Sequence, residues 1–337
     1  MVPPYYSYYR RRYFEKPLFV GTLLAVCLAC WMASFFLSVG YPVYGETTDT
    51  PLWNFICAHL PGKVATYLIG LVLMIGGAFL LNKTNYELTL IPGSARLIFL
   101  LYILFISTNP DFFPFKSTSL GVFCLIGAMY QLFTSYHDPE SREKAYSAAL
   151  LMGIGSLLWI HLLWFLPLFW MGMYRFRSLT PRTFAASLLG VLTVYWLLFG
   201  WCVWQRDFSF LTGPIGILVD IRPFMADGIV LRDWMGILLI IALTLAASVR
   251  IILGDEGNSL RSRQSLSFLV LMFVWALGLY FLYEETPEEF IETACIPASL
   301  LISHLFSVSR GKFMFYLFIV SNLALVFIFC NRLWNFL

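Results

Sequence analysis

A stretch without any Asp, Glu, Lys or Arg, from Ala145 to Tyr174, constrains the fold of this chain more than any other feature. One membrane-crossing helix needs about 20 apolar residues, so this run is too long for one crossing and short for two. Lys and Arg flank it on both sides, and these residues collect on the cytoplasmic side of membrane proteins. The pattern predicts two short helices that enter and leave at the same face and turn near Ile160 and His161. Non-helical backbone at membrane depth must be covered, so the turn also predicts a protein-lined cavity.

The composition excludes a soluble fold. Hydrophobic residues make up 60% of the chain and charged residues 12%, against roughly 45–50% and 25% in soluble domains. The net charge is only +3 and the basic residues are spread through short loops, whereas a nucleic-acid binder needs a clustered basic face. The chain is therefore predicted to be one integral membrane domain over residues 1–337, without a nucleic-acid partner.

Successive apolar runs predict an all-α polytopic membrane helix bundle with about eleven transmembrane helices, two of them the short pair in 145–174. Residues 91–108 and 294–309 are among the predicted crossings. This topology places sixteen Lys and Arg inside and six outside, whereas a single crossing by the 145–174 run would give twelve and ten. The first arrangement obeys the positive-inside rule far better. It predicts a bacterial inner-membrane protein whose N-terminal tail, residues 1–16, is cytoplasmic.

Carboxylates on the outer side are the candidate catalytic groups. Glu46 and Asp49 follow the first crossing, and Asp111 lies at the outer end of the third. Such groups can act as a general base or coordinate a divalent cation where they converge on one cavity. The competing interpretation is that they are ordinary loop acids. We interpret the acidic segment 284–292 in that second way, as a solvated loop before the crossing at 294–309.

Four further polar residues are candidates for substrate binding, namely Lys116, Arg206, Arg222 and His161. The three cations lie on the outer side against the positive-inside trend, and a cation there can bind a phosphate or pyrophosphate headgroup. An imidazole in hydrocarbon needs a partner or a wet cavity, so His161 at the predicted turn is a further candidate. The alternatives are a loop ion pair, such as Asp220 with Arg222, and a hydrogen-bonded structural histidine.

The sequence contains no motif of metal or nucleotide chemistry. No cluster of His, Cys and Asp has zinc spacing, and no phosphate-binding glycine loop, G-x-S-x-G or H-E-x-x-H occurs. We expect no resident metal, and the one cofactor left open is a divalent cation at the outer carboxylates. Few acids fall within the predicted crossings, which argues against a proton relay and an ion-coupled transporter.

Three features follow one another in the first two thirds of the chain. An acid follows the first helix (Glu46 or Asp49), a second acid follows the third helix (Asp111 in STNPDFFPF), and a glycine-rich helix leads into a second short helix (AALLMGIGSLLWIHLLWFLPLFW). This pattern, from Pro17 to Trp204, resembles the membrane part of the GT-C superfamily, glycosyltransferases that use polyprenyl-phosphate sugars. The chain also looks like bacterial multi-pass inner-membrane proteins that have no assigned role.

The GT-C resemblance implies transfer of a sugar from a polyprenyl-phosphate donor to an outer-side acceptor. Glu46, Asp49 or Asp111 would then be the base or a metal ligand, and Arg222 or Arg206 would hold the donor phosphate. Two other functions stay open. One is a non-enzymatic scaffold or subunit of an envelope assembly, with membrane-protein partners, and the other is a lipid or small-molecule transporter. Membrane lipid is an expected partner in every case.

Overall fold

The computed structural model describes residues 17–37, 50–59, 62–91, 95–222, 231–253, 259–283, 287–308 and 312–334. Within these ranges the chain forms α-helices and two 3-10 helices, and no β-strand. The prediction of an all-α fold is confirmed.

The helices lie in the following order. The α-helices are α1 (Pro17–Leu37), α2 (Pro51–His59), α3 (Lys63–Leu88), α4 (Ala95–Ile106), α5 (Ser117–Thr134), α6 (Arg142–Ser156), α7 (Phe165–Arg175), α8 (Pro181–Gln205), α9 (Ser209–Val219), α10 (Leu231–Leu253), α11 (Leu260–Leu282), α12 (Pro287–Val308) and α13 (Lys312–Trp334). The 3-10 helices are Pro110–Phe112, between α4 and α5, and Ile160–Trp164, between α6 and α7.

Eight of the described helices are long and apolar enough to cross a membrane. They are α1, α3, α5, α8, α10, α11, α12 and α13. The chain is therefore a multi-pass membrane protein by the length and composition of its helices, while the predicted count of about eleven is not confirmed.

Helix α4 accounts for one difference between prediction and structure. The sequence predicts a crossing over 91–108, but α4 has only 12 residues, about 18 Å of helix against a hydrocarbon core of about 30 Å. Its residues from Leu100 to Ile106 are all buried, and α1, α3, α12 and α13 surround it. A helix that is apolar all round is one that is buried all round, so burial within protein explains this apolar run as well as lipid does.

The segment between α6 and α7 breaks where the sequence predicts. Helix α6 ends at Ser156, and the chain resumes as the 3-10 helix Ile160–Trp164. The backbone N–H of His137, before α6, donates to the carbonyl of Phe176, after α7, at 3.0 Å. The pair of helices therefore enters and leaves at one end of the bundle, and residues 158–162 of the turn between them are buried.

Close packing against α8 holds α6 in place. A Cβ atom added to Gly190 of α8 would lie 2.5 Å from the carbonyl oxygen of Tyr146, and one added to Gly153 of α6 would lie 3.0 Å from Val194. Small residues at such crossings let two membrane helices approach to backbone contact. This contact fixes the position of α6 along α8, and with it the position of the turn that follows α6.

Two side-chain hydrogen bonds mark one end of the bundle. Lys144 donates to the carbonyl of Thr134 at 2.9 Å, and Arg261 donates to the carbonyl of Phe133 at 3.0 Å. We call it the Lys144 end. Most described cations lie there, including Lys83, Arg96, Arg142, Arg175, Arg177, Arg182, Arg250 and Arg263. This clustering agrees with the charge pattern behind the predicted topology, and the cytoplasmic orientation of this end stays a prediction.

Candidate functional site

Two glutamates are buried at the opposite end of the bundle, which we call the Glu289 end. Helix α12 begins at Pro287, so Glu289 and Glu292 belong to its first turns and are only 8% and 5% exposed. The prediction that the segment 284–292 is a solvated loop is wrong for these two residues. Proline is favoured at the first helical position and acids are favoured in the first turn, so the helix starts well before the predicted crossing at 294–309.

The turn between α6 and α7 contacts Glu289. The indole N–H of Trp159 donates a hydrogen bond to Oε2 of Glu289, and Nδ1 of His161 lies 3.9 Å from the same oxygen. Residues 130 positions apart therefore meet because α6 breaks next to the start of α12. A buried carboxylate requires such donors, since leaving a charge unpaired in a low-dielectric interior is costly.

His161 is the least satisfied polar side chain of this site. It is 3% exposed, and neither ring nitrogen has a hydrogen-bond partner among the described residues. Its ring packs against Tyr283, with ring centroids 4.6 Å apart, and against Phe290 at 5.5 Å. Buried polar groups normally have partners, and an exception calls for an explanation such as a catalytic role or an unfilled binding site. The sequence predicts that His161 needs a partner, and the structure places the carboxylate of Glu289 beside it as the candidate.

A chain of hydrogen bonds fixes the 3-10 helix beside the site. The indole N–H of Trp164 donates to the hydroxyl of Tyr283 at 2.7 Å, and that hydroxyl donates to the carbonyl of Leu218 at 2.6 Å. The indole of Trp275 donates to the carbonyl of Trp164 at 2.9 Å. Burial raises the pKa of Tyr283, so its hydroxyl stays protonated, and able to donate, to a higher pH than an ordinary tyrosine hydroxyl. These bonds tie the turn to α9 and α11.

Lys116 supplies a cation next to the glutamates of α12. It precedes α5, and its Nζ lies 3.9 Å from Oε2 of Glu288. Both side chains are partly open to solvent, at 29% for the lysine and 46% for the glutamate. An ion pair this exposed contributes only about 0–1 kcal/mol to stability. Lys116 is therefore better understood as a positive charge kept at the rim of the buried site.

The other predicted site residues lie in separate turns or outside the described residues. Asp111 is half-buried in the 3-10 helix Pro110–Phe112, where its N–H donates to the side chain of Asn109 at 3.2 Å. Arg206 is exposed in the turn after α8. Arg222 forms an exposed ion pair with Asp220 at 2.7 Å, as the alternative interpretation anticipates. Glu46 and Asp49 lie outside the described residues.

Within the described part of the chain, no group of three or more His, Cys, Asp or Glu side chains is arranged to hold a metal ion. A divalent cation at the predicted acids would depend on Glu46 and Asp49, so that prediction stays open. Sequence analysis missed Glu289 and Glu292 although one signal was available. Pro287 followed by two glutamates is a helix start, and Glu289 and Glu292 are spaced to share a face of that helix.

Comparison with known proteins adds no assignment. No protein-family model, no curated protein and no solved structure matches the chain.

Proposed function

We propose that this multi-pass membrane protein is a GT-C-like glycosyltransferase that moves a sugar from a polyprenyl-phosphate donor to an acceptor at the Glu289 end. One observation carries the proposal. The carboxylate of Glu289 is buried, held by the indole of Trp159, and faced by the unpartnered imidazole of His161 at 3.9 Å. Ionisable groups buried at a membrane end are a functional-site hypothesis by default.

This arrangement supports general-base catalysis. A hydroxyl group of the acceptor would lose its proton to Glu289 while its oxygen forms a bond to the anomeric carbon of the sugar. The bond from that carbon to the phosphate oxygen breaks at the same time, and the electron pair leaves with the polyprenyl phosphate. His161 would hold the acceptor hydroxyl, because an imidazole without a partner can offer one donor and one acceptor.

The phosphate of the donor needs a cation. Lys116 lies at the rim of the site beside Glu288, and exchange of that exposed pair for a phosphate costs little. Arg206 and Arg222 are the other candidates for this role. Asp111, Glu46 and Asp49 remain candidates for a second acid or for ligands of a divalent cation.

A lipid-linked donor would reach the site from the membrane. Helix α8 presents large apolar side chains outward along its length, including Leu189, Leu192 and Leu197. Its last turns expose Trp201 and Trp204, as expected where a helix meets the membrane interface. We further propose that the Lys144 end faces the cytoplasm of a bacterial inner membrane, so that the transfer occurs on the outer side.

The direct test uses the full-length protein in lipid nanodiscs with a synthetic polyprenyl-phosphate sugar. Mass spectrometry measures the release of free polyprenyl phosphate. We expect Glu289→Gln to abolish release, because the amide keeps an acceptor for Trp159 but cannot take a proton. Glu288→Gln is the matched control on the same helical turn and should retain release. Equal release by wild type and Glu289→Gln would exclude Glu289 as the base.

A non-enzymatic scaffold is the second candidate, and the packing of the site favours it. The ring of Phe290 lies against those of Trp159 and Tyr283, and all three pack around His161, with the centroids of contacting rings 4.6–6.1 Å apart. With the rings packed in this way, a substrate can reach Glu289 only if the turn between α6 and α7 moves. The scaffold hypothesis predicts co-purifying membrane proteins and a Glu289→Gln variant that complements a deletion strain as well as the wild type does. The transferase hypothesis predicts that this variant fails to complement.

A further inference from the structure

Helix α9 carries no charged side chain, although it lies at the surface of the bundle. Residues 208–219 contain no Asp, Glu, Lys, Arg or His. The exposed positions of the helix are Ser209, Thr212, Ile215, Gly216 and Val219. Of the two polar residues among them, Thr212 donates its hydroxyl to the carbonyl of Phe208 at 3.2 Å. A helix with one side in water carries charged or polar residues along that side, so the exposed side of α9 is better suited to an apolar surrounding.

The charged residues nearest to α9 in the chain stand at its two ends. Arg206 and Asp207 precede the helix, Asp220 and Arg222 follow it, and all four are exposed. The 11 residues of α9 make about 16 Å of helix, roughly half of a hydrocarbon core. The helix is therefore too short to cross a membrane. Because charged groups stay in water at a membrane surface, a helix with charges at both ends lies along the interface, with its apolar side chains in lipid.

Backbone groups at both ends of α9 have partners within the protein. In the first turn, the backbone N–H of Ser209 donates to Oδ1 of Asp207 at 2.9 Å. In the last turn, the carbonyl of Leu218 is one of those that a helix end leaves open, and it accepts from the hydroxyl of Tyr283 at 2.6 Å. Lipid offers no hydrogen bonds, so a helix that lies in lipid depends on partners of this kind.

The neighbouring helix α8 indicates that lipid covers α9. By its length and composition α8 can cross a membrane. A line of exposed aromatic rings leads from α8 to the start of α9, with ring centroids 6.1 Å apart from Trp196 to Phe199 and 6.1 Å apart from Phe199 to Phe208. The exposed surface of α9 therefore continues the outward-facing side of a membrane span. The surrounding that covers that side of the span, which is lipid, reaches α9 as well.

We propose that α9 is a lipid-binding surface: it lies along the membrane interface at the Glu289 end, and phospholipid acyl chains cover its exposed side. This lipid contact reaches the candidate site through Tyr283. The hydroxyl that holds Leu218 also accepts from the indole N–H of Trp164 at 2.7 Å, and the tyrosine ring packs against His161 with centroids 4.6 Å apart. Helix α9 thus supports the turn between α6 and α7 from the membrane side. The inference uses only the contacts of α9 and does not rest on glycosyl transfer.

The first test is photo-cross-linking of the full chain in nanodiscs made of one phosphatidylcholine of defined mass. The photoreactive residue p-benzoylphenylalanine replaces Ile215, and mass spectrometry detects adducts after irradiation. We expect a phosphatidylcholine adduct in a yield close to that obtained when Leu192, on the outward side of α8, is replaced in the same way. Glu140, exposed before α6, is the control in water. A cross-link to a second protein chain, or no more lipid adduct at position 215 than at position 140, would overturn the proposal.

The second test measures hydrogen–deuterium exchange of the backbone amides of residues 158–164 in the same nanodiscs. Tyr283→Phe keeps the ring beside His161 but removes both hydrogen bonds of the hydroxyl. These amides should then exchange about tenfold faster than in the wild type, as expected when hydrogen bonds of ordinary strength are lost. Tyr86→Phe, at an exposed tyrosine of α3, is the matched control and should leave exchange unchanged. Unchanged exchange of the turn in Tyr283→Phe, or faster exchange throughout the chain, would refute the coupling between α9 and the turn.

Discussion

Replacing Gly190 by alanine tests the contact that positions the turn between α6 and α7. The added Cβ would lie 2.5 Å from the carbonyl oxygen of Tyr146 and 3.0 Å from the backbone nitrogen of Leu150. Both atoms belong to the backbone of α6 and cannot rotate away. The two helices must therefore separate by about 0.9 Å to bring the 2.5 Å approach to 3.4 Å, where ordinary contact distances begin. This separation disturbs the packing along their shared length.

Gly200, in the same helix, isolates the cost of this clash. A Cβ atom added there meets nothing within 4 Å, so alanine at position 200 changes helix propensity alone and should gain up to about 1 kcal/mol. The same gain applies at position 190. The difference between Gly190→Ala and Gly200→Ala therefore equals the overpacking cost, about 1–3 kcal/mol. At about 2 °C per kcal/mol this corresponds to about 2–6 °C in melting temperature.

The assay is thermal unfolding of both full-length variants in one detergent, followed by tryptophan fluorescence and by the fraction that remains monodisperse. We expect the Gly190→Ala protein to melt below the Gly200→Ala protein by that amount. If the two variants melt at the same temperature, α6 and α8 are not in backbone contact at Gly190, and the reasoning that places the turn is refuted.

Three smaller predictions concern the hydrogen bonds around the site and the helix beneath it. Trp159→Phe keeps an aromatic ring but removes the donor to Glu289, and thermal unfolding should show a loss of about 1–3 kcal/mol. Tyr283→Phe leaves the indole N–H of Trp164 without its acceptor, so tryptophan fluorescence should shift and stability should fall by about 1–3 kcal/mol. Thr180→Ala removes the capping box of α8 and should lower stability by about 1 kcal/mol, whereas Thr180→Ser should not.

The broken helix pair could be predicted because two independent features of the sequence indicate it, namely the length of the apolar run and the charges on its flanks. The run from Ala145 to Tyr174 is too long for one helix, and the cations on both flanks require its ends to share one face. The hydrogen bond between His137 and Phe176 is consistent with that arrangement. Patterns of this kind depend on local composition, which a sequence displays directly.

The short buried helix α4 could not be predicted in the same way. Its residues are apolar on every side, and hydropathy does not distinguish lipid from the interior of a helix bundle. Only the surrounding helices make Leu100 to Ile106 a core segment, and these neighbours come from distant parts of the chain.

The candidate site was predicted only in part. The sequence singles out His161 because an imidazole at an apolar turn needs a partner, but the partner belongs to an acidic segment whose composition favours a solvated loop. Local composition favours a loop for residues 284–292, whereas Pro287 and the acids that follow it favour a helix start. Burial of Glu289 depends on Trp159, which the sequence does not connect to it.

The most direct test of the account is a profile of lipid-linked sugars and surface glycans from cells that lack the protein, complemented at matched membrane expression. We predict that wild type and Glu288→Gln restore a glycan that is lost in the deletion strain, and that Glu289→Gln does not restore it. Restoration by Glu289→Gln, or a deletion strain with an unchanged profile, would contradict the claim that the buried glutamate at the start of α12 performs the transfer.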